Sequence, residues 1–93
     1  MSPMSCSKAT AKIVNKRGLH ARASAKLVEA ASRFKCHITV SKDGQTVDAR
    51  SIMGLMLLAA PIGTDIEISA AGEDSAEALT AILALVDAKF GED

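Results

Sequence analysis

Apolar positions along the chain change their spacing several times, and each change marks an element. From Ala9 to Asn15, Ala11 and Ile13 alternate with Thr10, Lys12 and Val14, a period of two that predicts a strand. Lys16, Arg17 and Gly18 form a connection. From Leu19 the period lengthens: Leu19, Ala23, Leu27, Ala30 and Phe34 recur every three or four residues, predicting an amphipathic helix of about four turns. Cys36, Ile38 and Val40 alternate with His37, Thr39 and Ser41. The Asp43-Gly44 pair then predicts a tight turn into a second alternating run through Val47 and Ala49, which makes a hairpin.

Ser51 can cap a short helix over Ile52 to Ala60, which Pro61 and Gly63 prevent from continuing. Ile66, Ile68 and Ala70 predict a fourth strand. Asp74 and Glu77 fit a variant capping box opening a last helix, with Leu79, Ile82, Leu83, Val86 and Phe90 on one stripe and Gly91 as its stop. The order is β-α-β-β-α-β-α. Because each strand has one apolar face, a single antiparallel or mixed sheet covered on one side by helices satisfies every pattern.

Composition narrows the function. The 93 residues carry 11 Lys plus Arg against 11 Asp plus Glu, so no overall positive field gathers polyanions, and only Phe34 and Phe90 could stack on bases. An RNA-binding α+β domain is disfavoured on both counts. Residues 1–8 show no apolar run and are set aside as a flexible tail without a signal peptide, leaving one domain over 9–91. No stretch is apolar enough to span a bilayer. Cys6 and Cys36 make no disulfide framework, and with no export signal a cytoplasmic location is expected. Cys36 with His37 is discounted as a metal pair, because neighbouring strand residues face opposite ways.

Three features can carry chemistry. The first is Gly18-Leu19-His20-Ala21-Arg22, at the junction of loop and helix. A histidine there adjoins free backbone N–H groups and the positive end of the helix dipole, which suit a ring with one free lone pair and would receive an oxyanion carried on it. Arg22 could add a delocalised cation. The plain alternative is a solvated histidine at a helix start. The second is Ser51, either a helix cap alone or a cap whose hydroxyl also accepts a phosphate. The third is the helix after it. If Leu55 and Leu58 face the sheet, then Ile52, Met53 and Met56 form an exposed apolar surface of the kind partners dock on; burial on both sides is the alternative. Lys16, Arg17, Arg22 and Lys26 gather around His20, while Glu73, Asp74, Glu77, Glu92 and Asp93 lie toward the C-terminal end. No Walker loop or carboxylate-rich magnesium site is present, so ATP binding is not expected.

From Ala9 to Phe90 the chain resembles the HPr family of phosphocarriers of the phosphoenolpyruvate-dependent phosphotransferase system, including its nitrogen-related branch. The likeness rests on Gly18-Leu19-His20-Ala21-Arg22 and Ser51-Ile52-Met53-Gly54-Leu55-Met56 at the right separation. It implies an α+β open-faced β-sandwich: a four-stranded antiparallel sheet with three helices on one face. It implies that His20 is phosphorylated on Nδ1 by phosphorylated enzyme I and passes the group to an enzyme IIA, and that Arg22 stabilises the phosphate. It also makes Ser51 the site of a regulatory HPr kinase/phosphorylase, and Ala25, Ile52, Met53 and Met56 the partner surface. A cytoplasmic monomer with no metal, cofactor, nucleic acid or membrane partner is expected. The alternative is a regulatory docking module switched by phosphorylation at Ser51. Three positions depart from the family pattern. Ala23 stands where proline is usual, which predicts a more mobile turn. Ala21 replaces a frequent threonine, and Glu29 a frequent lysine, which makes the partner face less basic.

Overall fold

The computed structural model describes residues 6–92. Four strands, β1 (Cys6–Lys12), β2 (His37–Lys42), β3 (Gln45–Asp48) and β4 (Asp65–Ala71), form one sheet in the order β1-β4-β2-β3, and every pairing is antiparallel. Three helices, α1 (Ala21–Ala31), α2 (Ile52–Leu58) and α3 (Ser75–Asp87), and a final 3-10 turn at Lys89–Gly91 complete it. In β4, buried Ile66, Ile68 and Ala70 alternate with the less buried Asp65, Glu67 and Ser69, so one face of the sheet meets the helices and the other meets water. Against Ile38, Val40 and that row pack Ala23, Leu27 and Ala31 of α1, Leu55 and Leu58 of α2, and Ala78, Ile82 and Val86 of α3. This is the architecture that the alternating patterns and the family resemblance predict.

Four boundaries differ from the expectation, each for a tertiary reason. β1 begins at Cys6 and ends at Lys12, because Cys6, Ser7 and Lys8 pair with Ala71, Ala70 and Ser69 of β4. The strand therefore takes in the last three residues of the segment set aside as a tail; residues 1–5 lie outside the described residues. α1 runs for 11 residues, about three turns, and stops before Phe34. Its end is claimed by other groups. Arg50 Nη2 donates to the carbonyls of Ala31 (3.0 Å), Phe34 (2.6 Å) and Cys36 (3.1 Å), and the Asp74 carboxylate accepts from the amides of Lys35 and Cys36, both at 2.9 Å. That use of Asp74 also explains why no capping box forms at α3, where its side chain caps nothing. α3 ends at Asp87, and Phe90 reaches the core from the 3-10 turn. α2 ends two residues early, at Leu58, with Ala59 left-handed. The hairpin turn forms as predicted, with Asp43 and Gly44 both at positive φ. Cys36 is buried and Cys6 exposed, and both are unpaired thiols.

The loop after β1 positions the site. Ile13 N donates to Thr64 O and Gly63 N to Ile13 O, both at 2.8 Å, and Leu19 N donates to Ala60 O at 3.0 Å. The segment from Ile13 to Leu19 is thereby laid along the segment from Ala60 to Thr64. The start of α1 is delivered to a fixed place beside the end of α2.

Candidate functional site

His20 is the N-cap of α1, in extended backbone conformation, and its carbonyl accepts the first helical bond from Ser24 N at 2.8 Å. The amides of Ala21, Arg22 and Ala23 precede that bond and have no partner within the helix. The His20 side chain does not cap them, and among the described residues no other side chain bonds to them. The sequence placed the histidine correctly, and the structure adds what holds its ring. Nε2 lies 2.5 Å from Oε2 of Glu92, while the other carboxylate oxygen accepts from Asn15 Nδ2 at 2.8 Å. The same Asn15 amide donates to Gly18 O at 2.8 Å, and Asn15 is fully buried.

Glu92 thus crosses from the acidic C-terminal end, where the sequence leaves it, into the basic cluster. The chain reverses through Lys89 and Phe90, both at positive φ, the Phe90 ring anchors in the core, and Lys26 Nζ donates to Phe90 O at 2.6 Å. Lys16, Arg17, Arg22 and Lys26 line a groove with Gly91 and Glu92. A second groove joins His20 and Arg17 to Leu19, Ala59, Ala60 and Pro61. Arg22 is exposed on the first groove and Arg17 lines both, so Arg17, read from the sequence only as one of a basic group, shares a groove with His20 that the expected Arg22 does not line.

The electrostatics follow. The amide donated by Asn15, joined by the His20 ring and Arg17, holds the Glu92 carboxyl below the ordinary 4.5, against its partial burial. A carboxylate held low keeps its contacts above the unfolded value and loses them as pH falls through the lowered one, so the clasp between Glu92 and His20 opens only at pH below about 4.5. In a carbon-13 NMR titration the Glu92 carboxyl is expected to have its midpoint below that value, and Asn15→Ala to move it back up. An unchanged midpoint in the variant would show that Asn15 is not the cause.

Ser51 is the N-cap of α2, and its Oγ accepts from Gly54 N at 3.0 Å. Leu55 and Leu58 are buried, whereas Ile52, Met53 and Met56 are exposed, so the face expected to be free is free. Leu57, 76% exposed, and Ile62, 53%, are further exposed apolar side chains in and after α2. The sequence reading named neither: Leu57 falls on neither of the two helix faces it weighed, and Ile62 lies beyond the helix it drew. Ala25 is exposed on α1. Ser51 and His20 do not meet: Ser51 opens α2, while Ala59 to Pro61, just past its other end, border His20. Among the described residues no group of His, Cys, Asp and Glu could hold a metal, and no helix is long and apolar enough to cross a membrane.

Asn15 and Glu92 are the site residues that sequence reasoning missed. Asn15 carried a weak signal, a polar residue three before the turn glycine. Glu92, 72 residues from the histidine it touches, carried none.

Residues 7–88 match the family model described as the PTS HPr component phosphorylation site. The phosphocarrier protein HPr of Cupriavidus necator is 51% identical over 80 residues, covering 86% of this chain and 90% of that protein. The crystal structure of HPr-C-His from Thermoanaerobacter tengcongensis superposes with a TM-score of 0.90 at 45% identity, covering 94% of this chain and 98% of that one. An HPr dimer from the same organism has a TM-score of 0.75 at 46% identity, covering 90% and 97%.

Proposed function

This chain belongs to the HPr family, the phosphocarrier component of the phosphotransferase system, and on that premise we propose that His20 Nδ1 accepts a phosphoryl group from phosphorylated enzyme I and passes it to an enzyme IIA. The observation that carries this reading is the imidazole at the open N-terminus of α1. One ring nitrogen is engaged by Glu92, and the ring stands at a helix start whose first amides have no partner within the helix, in a groove with Arg17, while Arg22 lines the groove that shares Arg17. Those amides and cations receive the phosphoryl oxygens, and the protein contributes positioning and charge in place of a complete active site. Arg22, exposed at the start of α1, is the cation that follows the group as a partner docks. The exposed face of Ile52, Met53, Met56 and Leu57, with Ala25, is the surface both partners use in turn. It has no large aromatic anchor, which suits complexes that must separate after each transfer.

Ser51 is the regulatory site. Its hydroxyl stands at the start of that apolar face, so a phosphate there sets nearly two negative charges beside it and changes which partners dock. The reading needs neither metal nor cofactor and assigns a cytoplasmic monomer that binds no nucleic acid; the T. tengcongensis dimer makes solution mass the check on the last assignment. A regulatory docking module is the second reading, favoured by the nearness of Ser51 to that face, and it predicts docking that persists in His20→Ala.

Phosphoenolpyruvate and enzyme I are expected to add one phosphoryl mass, labile in acid, to the wild-type chain and none to His20→Ala. An HPr kinase/phosphorylase with ATP is expected to add an acid-stable phosphoryl group lost in Ser51→Ala. Labelling of His20→Ala at an acid-labile site would overturn the relay.

A further inference from the structure

The placement of the two ring nitrogens of His20 is not explained by α1. The amides at the start of α1 favour a lone pair on any nitrogen that faces them, but among the described residues none of them bonds to the His20 ring, so they leave the tautomer open. The selection comes from the far end of the chain. A carboxylate can only accept, so the nitrogen it touches at 2.5 Å must carry the proton. The carboxylate itself cannot turn away. Its second oxygen is bound by Asn15 Nδ2, whose amide is oriented without ambiguity because it faces two acceptors, Gly18 O and Glu92 Oε1, and Asn15 has no exposed surface. Lys26 and the buried Phe90 hold the turn that delivers Glu92.

We propose that Glu92, fixed by Asn15, is a positioning residue that holds His20 as the Nε2–H tautomer and so keeps the Nδ1 lone pair available for phosphoryl transfer. The proposal rests on His20 being the phosphoryl acceptor. In the step itself the Nδ1 pair forms the N–P bond while the donor's bond to phosphorus breaks, its electron pair leaving on the donor atom. No proton moves: the ring keeps its Nε2 hydrogen and gains the positive charge, which the carboxylate on Nε2 then faces. On delivery the acceptor forms its bond to phosphorus and the ring leaves with its lone pair, returning to the same Nε2–H tautomer. A donor on Nε2 would be wrong at both stages, and a carboxylate is right at both.

Glu92→Gln discriminates this from a packing role, because glutamine has the same size. Asn15 still donates to one side, so the glutamine carbonyl turns toward Asn15 and its NH2 toward Nε2. Nε2 must then accept and the proton moves to Nδ1. Phosphorylation by phosphorylated enzyme I is expected to slow at least roughly tenfold in Glu92→Gln and by less in Glu92→Ala, where the ring takes either tautomer. Nitrogen-15 shifts of the His20 ring are expected to show Nε2–H in the wild type and Nδ1–H in Glu92→Gln. A glutamine variant that matches the wild type in rate, or that is slowed while keeping Nε2–H, overturns the proposal. Absence of any label on wild-type His20 would instead overturn the relay, and the tautomer measurement would still decide what Glu92 does.

Discussion

Gly18→Ala is expected to destabilise the protein by about 3–5 kcal/mol and to displace the site with it. Gly18 has φ +64, and a Cβ built there lies 2.2 Å from Ala60 O and 2.9 Å from Pro61 Cα. Both are backbone atoms, and Ala60 O already accepts from Leu19 N, so neither can retreat as a flexible side chain would. The left-handed backbone is one cost, and the overlap is a larger one. A domain of this size has a total stability of roughly 5–14 kcal/mol, so the loss is a large share of it, and at about 4–8 °C per kcal/mol the melting temperature should fall by more than about 12 °C. Because the same contact holds the loop that ends in His20, the folded fraction should also accept phosphoryl groups more slowly. A melting temperature within about 3 °C of wild type would show that the loop does not need the close approach.

Phe90→Ala is expected to cost about 3–5 kcal/mol, the range for removing a fully buried phenylalanine. The position is unusual because the backbone at Phe90 is itself left-handed, at φ +56. At Phe90 the burial of the ring offsets that strain, and alanine keeps the strain while losing the burial. The turn should therefore fray first. Glu92, two residues on, loses its fixed place, and the Nε2–H signature of His20 should weaken even below the unfolding transition. Urea unfolding measures the first effect and nitrogen-15 shifts the second. A variant as stable as wild type, or one that is destabilised while its His20 tautomer stays fixed, would separate the core role of Phe90 from its effect on the site.

These two residues differ in how visible they are in the sequence. Gly18 sits inside a motif, two residues before the histidine, so its importance is local and legible, although the atoms it makes room for, in Ala60 and Pro61, are not. Phe90 reads as the last member of the α3 stripe. It reaches the core, but from a separate turn past the end of the helix. Asp74 shows the same limit. Spacing makes it a cap for α3, and the structure spends its carboxylate on two amides at the end of α1, because two well-placed backbone donors offer more to a carboxylate than one half-formed helix end.

Period and punctuation determined the elements by themselves. Alternation defines four strands with one apolar face each, three-to-four spacing defines the helices, Asp43-Gly44 defines the hairpin, and Ser51 defines the start of α2. These are local consequences of backbone geometry and the need to bury one face, and they place His20 at a helix start; that Ile52, Met53 and Met56 lie on a free surface was conditional until packing buried Leu55 and Leu58. Tertiary structure alone decided which groups meet there. Charge counted along the chain separates a basic half from an acidic end. The turn after α3 instead carries Glu92 back onto His20, because burying Phe90 fixes where the chain must go next. A carboxylate 72 residues away has no periodic relation to the histidine it holds, so only the packed core could bring them together.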